Sequence, residues 1–147
     1  MTVFATEITL NGDMLITALG KARGHLVNIE LTTSIGLSLK RRNEARHLAE
    51  TDPDGNPWTP LKPYTIKHKT NPRMLVEHGD MLRLYSNPTA DQVTVGTADR
   101  KAYWHHAGTE RGLPARPLIG LPQADQTFIV ALVDDHLDAV LRRAHLR

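Results

Sequence analysis

Gln92-Val93-Thr94-Val95-Gly96 decides the fold class. Val93 and Val95 alternate with polar neighbours, the period-2 pattern of a half-buried β-strand. The last part of the chain has the other period: Ile129, Leu132, Val133, His136, Leu137, Val140, Leu141 and Ala144 repeat every 3.6 residues. That is an amphipathic helix, with Arg142, Arg143 and Arg147 near the negative end of its dipole. Working toward the N-terminus, Val3–Leu10 alternates loosely (Val3, Ala5, Ile8, Leu10) and reads as a short strand ended by Asn11-Gly12. Asp13 is a candidate helix cap. Leu15, Leu19, Ala22, Leu26 and Ile29 then step by four and three, and the stripe resumes at Leu37, Ala45 and Leu48. Gly20, Gly24 and Gly36 each cost about 1 kcal/mol inside a helix, which predicts a short helix followed by a longer one. Lys40, Arg41, Arg42 and Arg46 fall on its polar side. Ala102–Ala107, ending at Gly108, reads as a second strand paired antiparallel with Val93/Val95 through Thr97–Arg100. Leu75–Tyr85 suits a helical turn or a strand equally. The expected fold is α+β: a small antiparallel sheet packed against N-terminal and C-terminal helices.

At 147 residues with 40% apolar and 23% charged side chains, residues 1–147 suit a single globular domain with a real core. Met1–Leu10 has no basic segment followed by an apolar one, so no secretory signal is expected. No apolar run approaches the ~20 residues of a membrane span. The chain has no Cys, which excludes disulfides, thiolate chemistry and cysteine-ligated zinc. A net charge of +2 is small for a dedicated nucleic-acid binder.

Between Thr51 and Pro72 the periodicity stops. Pro53, Pro57, Pro60, Pro63 and Pro72 punctuate this stretch, and Asp54-Gly55 is a turn pair. Trp58, Leu61, Tyr64 and Ile66 give it apolar anchors. The expectation is an extended Pro-rich arm or loop over 51–72, with Trp58 serving as a packed corner or as a preorganised interface anchor. Arg116, between Pro114 and Pro117, is of the kind that pairs with a carboxylate or caps a carbonyl.

Catalytic patterns are lacking. His105-His106 on a strand would point to opposite faces, and no H-x-x-x-H or H-E-x-x-H spacing supports a metal-dependent hydrolase there. Ser34, Ser38 and Ser86 stand in no nucleophile elbow, and Asp134-Asp135 read as a solvated helix face. Neither a metal nor a cofactor is expected. Lys62, Lys67, His68, Lys69 and Arg73, interleaved with Trp58 and Tyr64 and joined by Lys40, Arg41, Arg42 and Arg46, keep open a second reading as a basic nucleic-acid-binding module.

Five segments in order carry a resemblance: D-P-D-G-N-P-W-T-P-L at 52–61, Leu75-x-x-x-Gly79-x-x-Leu82, V-x-V-G-T at 93–97, Ala102-x-x-His105-His106-x-Gly108, and P-A-R-P-L-I-G at 114–120. Their order and spacing, from about residue 35 to the end, resemble the phage virion morphogenesis family, which groups Mu-like G proteins with tail completion proteins. Lys101 stands where the family often has Tyr, His106 where it has Gln, and Arg46-His47-Leu48 where an aromatic precedes the turn. The resemblance implies a non-enzymatic structural protein of a tailed bacteriophage, made in the host cytoplasm and ending in the virion neck. It implies a tail completion or head–tail joining subunit in a homo-oligomeric ring, a hexamer, without a membrane. Its partners would be connector or stopper proteins on one side and tail terminator or tail tube proteins on the other. Phage DNA in the channel would touch the ring non-specifically. The interface and structural signature residues are then Asp54, Gly55, Trp58, Leu61, Gly79, His105, Gly108, Arg116 and Pro117. Lys40, Arg41, Arg42, Lys62, Lys67, Lys69 and Arg73 are the candidates for a channel or interface surface.

Overall fold

A computed structural model describes residues 6–11 and 27–145. The elements are β1 (Thr6–Asn11), α1 (Ile29–Leu48), α2 (Pro63–His68), β2 (Tyr85–Pro88), β3 (Gln92–Thr97), α3 (Lys101–Ala107) and α4 (Gln123–His145). The expected α+β class is what the chain forms. β3 is the middle strand of a three-stranded antiparallel sheet ordered β1-β3-β2. Thr6 pairs with Thr97 on one side, and Tyr85 with Gly96 on the other. Val93 and Val95 are buried, as their alternation requires, while Thr94 on the other face shares a hydroxyl hydrogen bond with Thr9 of β1.

The V-x-V-G-T glycine has a packing reason. Glu7, Gly96 and Tyr85 lie in one row across the sheet, and the Tyr85 hydroxyl donates to Glu7 Oε2 at 2.8 Å over Gly96. A Cβ on Gly96 would sit 2.8 Å from both the Tyr85 hydroxyl and the Glu7 Cβ, so any other residue blocks the bridge. Partial burial, and then the Glu7 carboxylate, push the Tyr85 phenol up to about 12.

α1 starts at Asn28, whose side chain accepts from Leu31 N–H. It does not bury the face that its apolar pattern suggests. Ile29, Leu37 and Leu48 are exposed, and the buried ridge is Leu31, Ile35, Leu39, Asn43 and His47, spaced by four. Leu15–Leu26 and the Asp13 cap lie outside the described residues. The expected interruption at Gly36 does not occur. Instead the sheet approaches the helix there so closely that a Cβ would run into Ser86 and Val93. That close approach offsets the propensity cost of the glycine.

α4 is the expected C-terminal helix, burying Ile129, Val133 and Leu137 against the core. It is fastened to α1 at its first turn, where Asp125 Oδ1 accepts from Arg42 Nε and Arg46 Nη2, both at 2.6 Å. Arg42 also stacks on the Phe128 ring, 4.7 Å from its centroid.

Two expectations need correction. Lys101–Ala107 is a helix, so it forms no strand beside Val93/Val95. Asp99 Oδ1 accepts from Lys101 N–H at its start, and Ala102 is the residue the helix buries. Within the Pro-rich 51–72 loop, Thr51 bridges Pro57 and Pro63 opens the short α2. Leu75–Tyr85 is neither helix nor strand up to its last residue. It is a looped segment held at its two ends by carboxylates, Glu50 Oε1, just past α1, accepting from Met74 N–H and Glu44 Oε1 on α1 from Leu84 N–H.

Candidate functional site

The signature segments, far apart in sequence, are knitted into one joint. The 52–61 corner is closed by Asp52. Its Oδ1 accepts from Asn56 N–H at 2.8 Å and its Oδ2 from Asn56 Nδ2 at 3.0 Å. These bonds, the Asn56 amide first, hold the Asp52 carboxyl below its usual range. Asp54 and Gly55 form the exposed tip, Gly55 with φ +90°. The carboxylate that organises the corner is therefore Asp52, which sequence reasoning passed over. The four-residue spacing of Asp52 and Asn56 was the available signal.

Trp58 is not the exposed anchor of an arm. It is 4% exposed, its indole N–H donates to Pro117 O at 3.0 Å, and its ring meets His47 edge-on at 5.3 Å. Arg116 completes the joint as a carbonyl cap, with Nε donating to Thr59 O at 2.9 Å and Nη2 to Pro60 O at 3.3 Å. Its own backbone N–H donates to His105 O at 2.7 Å. Two residues on, Leu118 N–H donates to His106 Nδ1, which fixes that imidazole with its proton on Nε2. Gly120 N–H donates to Asn43 Oδ1 on α1. Gly108 ends α3 at φ +73°, where a Cβ would strike the Ala115 backbone N.

Beside this joint, between α2 and α3, opens a cleft of about 690 Å³. Of the expected site residues, Leu61, Lys62, Lys69, Gly79, His105 and Arg116 line it. Burial first, then the nearby Arg116 and Lys101 charges, push the His105 imidazole down, and burial alone lowers His106. The two imidazoles diverge because they are neighbours on a helix, not because they face opposite sides of a strand. Among the described residues, no three His, Cys, Asp or Glu side chains come together as a ligand set.

The basic residues do not form one patch. Lys40 pairs with Glu44 and Arg42 with Asp125, while Arg41 alone of that run is exposed without an ion pair among the described residues. Lys69 pairs with Glu77 at 2.9 Å and donates to Val76 O. Lys62, Lys67 and Arg73 are exposed around α2. α2 itself buries nothing: Tyr64 is 74% and Ile66 56% exposed, and Trp104 on α3 is 49% exposed.

Among the described residues no helix is long and apolar enough to cross a membrane. Residues 13–138 match the model of the phage virion morphogenesis family, a match that begins well ahead of the first signature segment. No curated protein and no solved structure matches the chain.

Proposed function

The chain belongs to the phage virion morphogenesis family, and from that premise we propose that it is a structural neck subunit, completing the tail and joining it to the head. In this role it forms a homo-oligomeric ring, a hexamer, between the head connector or stopper and the tail terminator or tube. One observation supports a contact role above all: α2 has no buried residue and presents Tyr64 and Ile66 to the outside. Large apolar side chains left this exposed on a well-anchored element are the usual mark of a protein contact. The joint supports the same role, because part-buried hydrogen bonds tie the 58–60 segment leading into α2 to Arg116 and Pro117, and Arg116 N–H ties the joint to His105 on α3. Contacts of one modest kind, repeated around a ring, give a strong junction without catalytic machinery.

The test is a nonsense mutation in the gene of the phage or prophage that carries it, with electron microscopy of the lysate. Filled heads and separate, complete tails are expected, with joined particles restored by a wild-type copy and not by a folded Tyr64→Asp/Ile66→Asp copy. Normal joined particles from the nonsense mutant would overturn the proposal.

A further inference from the structure

The cleft beside α3 carries five cationic side chains against three carboxylates, Glu77, Asp80 and Asp99, and its deepest cation has no ion-pair partner among the described residues. Arg116 is 3% exposed and gives Nε and Nη2 to two carbonyl oxygens. Among the described residues it forms no ion pair, and its Nη1 takes no hydrogen-bond partner. A guanidinium keeps its proton in proteins, and because Nη1 is not among the enclosed unpartnered atoms, Arg116 is a largely buried cation with one end still accessible. The neighbouring cleft cations are matched differently: Lys69 has Glu77 at 2.9 Å and Lys101 has Asp99 at 3.6 Å. At the rim, Lys62 and Arg111 are exposed and unpaired among the described residues. The wall is apolar, with Leu75 and Met81 buried and Leu113 half-buried. Near Arg116, the His105 Nδ1 is buried without a partner among the described residues.

We propose that this cleft docks a carboxylate carried on an apolar peptide segment of a partner virion protein. Arg116 is the anchor, and Lys62 and Arg111 are the steering charges. Carboxylate is the anion that a guanidinium fork with free donors binds in two-pronged fashion. The depth of Arg116 selects a slim stem, such as a Glu side chain, over duplex DNA, whose phosphates meet protruding cations. Leu75, Met81 and Leu113 supply the surface for apolar residues on either side of the acid. The site rests on the assembly role only in naming the partner as a virion protein.

The test is a titration of the ¹⁵N-labelled full chain with the capped peptide Leu-Leu-Glu-Leu-Leu, its Gln counterpart and a short DNA duplex. The Glu peptide is expected to shift the Arg116 Nε–H and the Gly79, Gly112 and Leu113 amides at millimolar concentration. The Gln peptide is expected to bind about tenfold more weakly. Charge reversal at two exposed rim positions, Lys62→Glu/Arg111→Glu, leaves the core untouched and is expected to weaken the Glu peptide by about tenfold again. Equal binding of both peptides, no shift with either, shifts with the duplex alone, or an indifferent rim variant each overturn the proposal. A chain that restores joined particles yet ignores the Glu peptide overturns this site and leaves the assembly role standing. A chain that binds the peptide while its gene is dispensable for joining does the reverse.

Discussion

Asp125→Asn is the sharpest test of how α4 is held. Asp125 is fully buried in the first turn of α4, and its Oδ1 takes hydrogen bonds from both Arg42 and Arg46 at 2.6 Å. The amide keeps the shape and removes the charge, leaving two guanidinium groups facing a neutral group. Breaking a fully buried ion pair in this way costs about 3–5 kcal/mol. Here the Arg42 side chain stays 36% and that of Arg46 16% exposed, so water takes up part of the freed charge. A loss of about 2–3 kcal/mol is therefore expected, on the reasoning that solvent screens half-exposed pairs. For a chain of this size that is a fall in Tm of about 5–10 °C by differential scanning calorimetry at neutral pH.

The pH dependence gives a second handle. Burial alone would raise the Asp125 pKa, but the hydrogen bonds and charges of Arg46 and Arg42 outweigh it and the net shift is downward. The folded state thus binds fewer protons than the unfolded state near the ordinary carboxylate pKa. The stability from this group is present above about pH 4 and is lost as pH falls through the lower folded value. The gap between wild type and variant should then be constant from pH 7 to about 5 and close in acid. A Tm within about 2 °C of wild type, or a gap that stays the same into acid, would show that the pair does not fasten the helices.

Other outcomes follow from the same packing. Trp58→Ala should lower unfolding free energy by about 3–5 kcal/mol, and Trp58→Phe by about 1–3 kcal/mol through the unpaired Pro117 carbonyl, both read by urea denaturation. A stable Trp58→Ala protein would return Trp58 to the role of surface anchor. Burial depresses the pKa values of His47, His105 and His106, so the folded state resists their protonation. Their stabilising effect is present above about pH 6.5 and falls away as pH drops through the folded values. Denaturation midpoints should therefore decline from pH 7.5 to 5.5, with a shallower decline in His47→Gln. An equal slope in that variant would remove His47 from the explanation.

Much of the fold was legible because its periods are carried by apolar residues. Val93 and Val95 announce β3, and Ile129, Val133 and Leu137 announce α4. The buried face of α1 was hidden because Thr32, Asn43 and His47 occupy it, three polar residues satisfied or packed by partners that a hydropathy pattern does not see. α3 was misread because Tyr103 and Trp104 favour strands in isolation, whereas both rings end up half-exposed on a helix whose one buried residue is Ala102. The site was legible as motifs but not as geometry. Arg116 was expected to pair with a carboxylate or to cap a carbonyl, and it is the second that the contacts with Thr59 and Pro60 show. Its seat on the Thr59 and Pro60 carbonyls arises from contacts between segments 56 and 57 residues apart, which no local pattern shows, whereas the Asp52 corner is a local turn closed by Asn56.

The central claim is that this chain sits where head and tail meet, and locating it in the particle tests that most directly. Purified virions carrying a tagged copy, labelled with gold-conjugated antibody and viewed by electron microscopy, should show label as one cluster at the neck. Label spread along the tail, gathered at its distal tip, or absent from finished particles would contradict it.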